Sequence, residues 1–371
     1  MSLTTFPKRH KMSFQDVREA LICAYAAGCI SDKAFVILYE EYESANLCFP
    51  YWEYGSFQLD DLEKSECKAE FRVEKEDIPR IAAALQVPNI FRCSQGTICP
   101  GEEGLCLLLR RLSYPCRYHD LIHRFGRPVP ELCMITNTVL DWMYDNHGHR
   151  LTSWNQQFLS PAYLERYAHA ITMKGSPLTN CFGFIDGTVR QISKPGENQR
   201  ILYNGHKRVH SLKFQSVALP NGLIANLYGP VEGRRHDAGM LKDSGLLTTL
   251  QREAYNSRGD PLCLYGDPAY PLRPQLMCPF READVPVFTP EMRAFNTAMS
   301  EVRVSVEWLF GDIVEYFKFV DYKKNLKLGM SAVAKQYIVC ALFRNILTCL
   351  YGNSTSAFFQ LDPPTLLEYL G

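Results

Sequence analysis

No two of the fourteen cysteines are spaced as Cys-x-x-Cys. That removes the spacing from which zinc sites are usually read. Several cysteines (Cys23, Cys106, Cys181, Cys263 and Cys340) stand inside apolar runs and read as reduced core side chains of an intracellular protein, not as a disulfide framework. Net charge is absent as well, with Lys+Arg and Asp+Glu balanced at 40 each. The chain as a whole therefore carries no electrostatic signature of nucleic-acid binding. Nor is there an apolar run that reads as a membrane span. The best candidate, Ser331 to Tyr351, is interrupted by Lys335, Gln336, Arg344 and Asn345 and reads as a buried helix. Near the N-terminus, Asp16 and Glu19 break the start of any signal-like run. No segment reads as exported or membrane-embedded. A glycine-rich Walker-type phosphate loop is missing too, which weighs against a phosphohydrolase acting on small molecules.

What is present suits two domains, or one domain with a large appendage: 371 residues, 46% hydrophobic and 22% charged. Charge is unevenly placed. Residues 40–77 hold twelve acidic and four basic side chains, and residues 174–235 hold nine basic and three acidic ones. A basic segment around an acidic site suits a phosphate-rich substrate.

Along the chain, residues 14–29 and 32–45 read as a helical hairpin, with Gly28 near the first stop and Ser31 as an N-cap for the second helix. The acidic, aromatic stretch Phe49 to Cys67 reads as a linker. Helical patterns follow over Phe71–Leu85, Leu105–Leu112, Tyr118–Phe125 and Glu131–Tyr144. The last two flank Gly126-Arg127-Pro128-Val129-Pro130 and resemble a helix-turn-helix, with Arg117, His119, His123, Arg124 and Arg127 making its surroundings basic. After a helix over Pro161–Met173 the periodicity turns to strand. Phe182–Asp186 and Val189–Ser193 read as two short strands separated by a turn at Gly187. Val209–Leu219 and Leu223–Val231 form a hairpin across Pro220-Asn221-Gly222. A helix over Ala238–Arg252, a buried strand over Leu262–Gly266 and a helix from about Asn296 complete the series. The fold class is α/β, and the order of elements is that of a ribonuclease H-like core, here with an N-terminal all-α helical domain. The expected divisions are 1–70 (hairpin and acidic linker), 71–175 (helical bundle), 176–325 (ribonuclease H-like domain) and 326–371 (C-terminal helix and tail).

Such a sheet brings the ends of its first and fourth strands together, placing Asp186 beside Asp267. A third acid, Glu307, lies on the late helix with Arg303 one turn before it and Gly311 one turn after. Clustered carboxylates can hold Mg²⁺ or Mn²⁺, which prefer oxygen ligands. Two ions roughly 3.5–4 Å apart serve phosphodiester hydrolysis by activating water and neutralising the leaving oxygen. Bland alternatives stand beside each acid. Asp186-Gly187 and Asp267-Pro268 are also turn sequences, and Glu307 could be a surface i,i+4 partner of Arg303. Glu301 competes with Glu307, although it points about 120° away around the helix. Asp237 is either a fourth ligand or the N-cap of its helix.

Ile-Asp-Gly-Thr (185–188), His-Asp (236–237), Gly-Asp-Pro-Ala-Tyr-Pro-Leu-Arg-Pro (266–274), Phe-Asn (295–296) and Arg-x-x-x-Glu-x-x-Phe-Gly (303–311) together resemble the PIF/Harbinger superfamily of DDE transposases, in its transposase-derived nuclease branch. The resemblance covers Cys181 to Phe319 well and Phe71 to Asn146 loosely. It implies a DNA endonuclease with catalytic Asp186, Asp267 and Glu307. The implied Mg²⁺ or Mn²⁺ ligands are Asp186, Asp237, Asp267 and Glu307. Lys207, Arg208, Arg234, Arg235, His236 and Arg303 are the expected contacts to nucleic acid. It also implies DNA as substrate, a separate Myb-like DNA-binding partner, room for a homodimer, and residence in the nucleus, with the cytoplasm as a second location. Asp312 and Glu315 depart from the more basic pattern of relatives and lower the expected DNA affinity. The alternative is a domesticated protein that keeps the fold and acts as a non-catalytic interaction module.

Overall fold

A computed structural model describes residues 14–41 and 50–371. The expected extension of the second helix to residue 45 and the start of the linker at Phe49 lie outside the described residues. Contacts divide the chain into two units, Met1–Tyr54 and Gly55–Gly371. In the first, α1 (Phe14–Ala26) and α2 (Asp32–Glu41) form the expected hairpin. Gly28 has φ +70°, which ends α1 without a Cβ penalty. Ser31 Oγ accepts from Ala34 N–H at 3.3 Å, as an N-cap should. Tyr25 stacks on Phe35 with ring centroids 4.5 Å apart. Cys23, expected in a core, is exposed, because a two-helix hairpin has only one inward stripe to bury.

The second unit begins with α3 (Lys64–Phe71) and α4 (Asp77–Ala84), where the sequence reads one helix over Phe71–Leu85. Arg72, left-handed at φ +63°, separates them. A two-stranded antiparallel ribbon, β1 (Ile90–Arg92) and β2 (Ile98–Pro100), leads into α5 (Gly101–Ser113), so this region is helical apart from the ribbon. The helix-turn-helix-like pattern becomes α6 (Ile122–Phe125) and α7 (Val129–His147), joined through Gly126 at φ +58°. Two of its basic residues are paired with acids. Arg124 binds Glu70 and Glu66 at 2.8 and 3.1 Å, and Arg127 binds the buried Glu103 and Glu131 at 2.5 and 2.9 Å. Helix α8 (Pro161–Met173) follows, with proline at its first position, where a missing N–H costs nothing.

The sheet comprises β3 (Cys181–Gln191), β4 (Tyr203–Asn204) after the short α9 (Gln199–Leu202), β5 (Val209–Ala218), β6 (Ile224–Glu232), β7 (Cys263–Tyr265) and β8 (Leu276–Met277). Helices α10 (Asp237–Ser244) and α11 (Leu246–Glu253) precede β7, with Gly245 at φ +66° dividing what the sequence reads as one helix. The strand order is β6-β5-β3-β7-β8, with β4 also on β5. Strand β5 is antiparallel to both β3 and β6, whereas β7 runs parallel to β3 and to β8. This mixed α/β sheet is consistent with a ribonuclease H-like nuclease core.

Helix α12 (Pro290–Tyr316) crosses the sheet. Its stripe of Met299, Val302, Val306, Leu309 and Phe310 packs on Cys181, Phe184, Cys263 and Tyr265, with Ala170 and Ile171 of α8 beside them. Each such fully buried large aliphatic or aromatic side chain contributes roughly 1.5–3 kcal/mol. That packing fixes the rotation of α12 and so decides which residues face the sheet edge. Helix α13 (Val333–Tyr351) is long and apolar enough to span a membrane, yet it lies mostly buried within the fold. Its Asn345 exchanges two 2.9 Å hydrogen bonds with the backbone of Ile224. Two short helices, α14 (Ser354–Phe359) and α15 (Leu366–Leu370), complete the unit. Among the described residues every cysteine is free, and Cys106, Cys181, Cys263 and Cys340 are buried as expected.

Candidate active site

Asp186 does not end a strand. β3 runs unbroken through Asp186, Gly187 and Thr188, whose partners on β5 are Ser216, Gln215 and Phe214. Gly187 is therefore not a turn glycine. A Cβ there would overlap Asp237 Oδ1 and stand 3.1 Å from its Cγ, so the missing side chain lets α10 deliver its first carboxylate against the strand. Gly187→Ala is expected to push Asp237 off the sheet edge. The checkable result is a stability loss of roughly 1–3 kcal/mol in urea.

Asp237 is also not an N-cap. That position belongs to His236, and Asp237 is the first helical residue. Its Oδ1 accepts from Lys213 Nζ at 2.9 Å, and the same ammonium donates to Arg235 O at 2.9 Å. Lys213 is 7% exposed and was not singled out in the sequence, where it looks like one polar residue in an apolar strand. A buried lysine is rarely tolerated without an acidic partner, and that is the signal that could have revealed it.

The parallel pairing of Phe184 with Tyr265 puts Asp267, just beyond β7, at the same end of the sheet as Asp186. Asp267 Oδ1 accepts from Ala269 N–H at 3.0 Å, which holds the carboxylate in its turn. Gly266 allows the close approach of Tyr270, since a Cβ would lie 2.6 Å from its ring. Asp186 Oδ1 accepts from Gly187 N–H at 2.8 Å, and its Oδ2 pairs with Arg303 Nη2 at 2.8 Å.

Electrostatics bind these acids into one group. Burial pushes the Asp186 carboxyl up to about 6; Arg303 and the Gly187 N–H pull against that, while Asp267 and Asp237 add to it. Asp267 is likewise raised by burial, countered by the Ala269 N–H and reinforced by Asp237. The Tyr270 hydroxyl is raised by burial and by all three aspartates. Its oxygen is buried with no hydrogen-bond partner, as is Nε of Arg303.

Glu307 is placed differently. It is 64% exposed, with Oε1 4.0 Å from Arg303 Nη1, and it lines an open depression with Trp308, Gly311 and Phe358. Arg303 thus joins Asp186 to Glu307, whereas the exposed Glu301 has no such link. Of the expected nucleic-acid contacts, Lys207, Arg208, Arg234 and His236 are exposed. Arg235 is paired with Asp243, and Arg303 is already engaged by Asp186. Those two do not offer free cations as the chain stands.

The donors Asp186, Asp237, Asp267 and Glu307 are all carboxylates, the chemistry that hard divalent cations select. The unpartnered Tyr270 oxygen beside them also suits a site that takes a further polar group. Among the described residues, however, no three His, Cys, Asp or Glu side chains stand together as a ready-made ligand set. The donor chemistry fits, but the cluster is closed onto its own cations, Arg303 and Lys213.

Residues 185–345 match the family described as DDE superfamily endonuclease. The segment begins one residue before Asp186 and includes Asp237, Asp267, Arg303 and Glu307. It supports a nuclease of the DDE, transposase-related kind. No curated protein and no solved structure matches the chain.

Proposed function

We propose that this chain is a metal-dependent DNA endonuclease of the transposase type, built on the PIF/Harbinger pattern. The observation that carries the reading is the convergence of Asp186, Asp237 and Asp267, from one strand, one helix start and the end of the parallel neighbour, within the matched segment. Burial and neighbouring acids raise the proton affinity of Asp186 and Asp267 at this sheet edge, and such charge suits a cation, because it is otherwise costly. Asp186, Asp237, Asp267 and Glu307 are the residues that would hold Mg²⁺ or Mn²⁺. Such ions supply Lewis acidity for phosphodiester hydrolysis when bound. Lys207, Arg208, Arg234 and His236 offer exposed hydrogen-bond donors that steer a polyanion toward the cluster. A DNA substrate places the protein in the nucleus, and its balanced overall charge suits delivery by a Myb-like DNA-binding partner or a second copy of the chain.

The test is nicking of supercoiled DNA by the purified full chain with Mn²⁺ or Mg²⁺, set against chelator. The expected result is nicking with either ion and none in chelator. Activity is expected to fall as pH drops through about 6, because a protonated Asp186 is a poor ligand and that is where its carboxyl takes up a proton. Equal nicking in chelator removes the proposal.

A second reading, a domesticated interaction module, draws on the pairing of two acids with Arg303 and Lys213. A cluster already neutralised from within can persist without a metal. Nicking with Mn²⁺ excludes this reading.

A further inference from the structure

The two cations at the cluster are held in unlike ways. Lys213 is 9% exposed in its side chain and has two acceptors, Asp237 Oδ1 and Arg235 O, both at 2.9 Å. It is a fixture of the fold. Among the described residues Arg303 is paired with two carboxylates: Asp186 at 2.8 Å and Glu307, at the open surface, at 4.0 Å. Its Nε is buried and unpaired, so the guanidinium sits at Asp186 with its donors incompletely satisfied. A buried donor left unpaired weakens the case for staying. Val302 and Val306 fix the helix around it, so the backbone of α12 has no need to move when the side chain does. The exposed Glu307, one turn along and 4.0 Å from Nη1, is an acceptor within reach of a departing guanidinium.

We propose that Arg303 is an internal competitor for the cation site, holding Asp186 in the cation-free protein and leaving it when a divalent ion enters. The proposal rests on the metal-dependent reading above. It accounts for the absence of a ready-made ligand set among acids that otherwise converge: the arginine occupies Asp186 until it is displaced. The stored arrangement keeps a buried acidic cluster from unbalancing the fold before metal arrives, since an unpaired buried charge is strongly destabilising.

The experiment measures Mn²⁺ binding to the full chain, by the electron paramagnetic resonance of free Mn²⁺, at about pH 8, where carboxylates are ionised. The proteins compared are the wild type, Arg303→Gln, Arg303→Lys, and Asp186→Asn alone and combined with Arg303→Gln. Circular dichroism of each confirms the fold. Arg303→Gln is expected to bind Mn²⁺ about tenfold more tightly than the wild type. Asp186→Asn is expected to erase that gain. Arg303→Lys keeps the charge but not the planar guanidinium and is expected to fall between the wild type and Arg303→Gln. An Arg303→Gln affinity equal to or weaker than the wild type's overturns the competitor while leaving the metal site standing. If Asp186→Asn leaves Mn²⁺ binding unchanged in both backgrounds, the ion is not at this cluster. The metal-dependent reading then fails along with the proposal.

Discussion

Asp186→Asn and Asp267→Asn are each expected to lower Mn²⁺-dependent nicking by about a thousandfold or more, roughly 4 kcal/mol of barrier, while leaving the far-ultraviolet circular dichroism unchanged. The size follows from the role: each substitution removes one carboxylate charge from a group that must hold a divalent ion. The intact fold follows from local geometry. An Asn at 186 keeps the oxygen that accepts from Gly187 N–H, now 2.8 Å away, while its amide nitrogen takes the place of the oxygen that pairs with Arg303. It also relieves the repulsion from Asp237 and Asp267 that helps push the Asp186 carboxyl up. The loss of a full ion pair with Arg303 opposes that relief, although the charges of Asp267 and, at 4.0 Å, of Glu307 still compensate the guanidinium in part. At 267, Asn retains the oxygen that accepts from Ala269. Nicking by both variants within tenfold of the wild type would rule out this assignment of the acids. Loss of activity together with loss of the spectrum would put both residues in the fold instead of the chemistry.

The parts of this site that could be read from sequence are those written in local signals. Pro220-Asn221-Gly222 announced the β5–β6 hairpin because a two-strand turn needs a residue at positive φ, and Gly222 stands at +83°. The strand order placed Asp186 near Asp267, since parallel neighbours with a helical crossover deliver their ends to the same edge. What failed was set by distant chain. Gly187 reads as a turn because Asp-Gly usually is one, and only the approach of Asp237 explains why a glycine stands in the middle of a straight strand. Lys213 carries no local signal, because its partner Asp237 arrives from another element. Tyr270 stands within the Gly-Asp-Pro-Ala-Tyr-Pro motif, but the burial of its hydroxyl among three acids is a property of the assembled sheet edge. In the sequence Arg303 is an expected nucleic-acid contact or an i,i+4 partner of Glu307. The competing demand of Asp186 becomes visible only once α12 lies across β3. Local chemistry located the acids, and the counterions required the tertiary fold.

Asp312→Ala is expected to cost about 3 kcal/mol of stability, a loss read as a lower urea midpoint. In the sequence Asp312 is an acid that weakens DNA binding. In the fold its Oδ2 accepts from Arg344 Nη2 at 2.7 Å, and the Arg344 side chain is 3% exposed. The guanidinium also donates to Thr348 Oγ1 at 3.2 Å and lies 4.6 Å from the Tyr316 ring centroid. Its Nε has no partner, so little remains to compensate the charge once Asp312 is gone. Removing one member of a buried pair costs more than the pair is worth, because the other is left as an isolated charge on the helix that fills the core. Replacing both, as Asp312→Leu with Arg344→Met, is expected to recover most of the loss. An Asp312→Ala change within about 0.5 kcal/mol of the wild type would mean that the pair is solvated and worth little. The same variant bears on the substrate. Because Arg344 already neutralises Asp312, its removal is expected to leave DNA affinity within about twofold of the wild type at temperatures where both are folded. A rise of tenfold or more would restore Asp312 to the role of a free surface acid that repels the phosphate backbone.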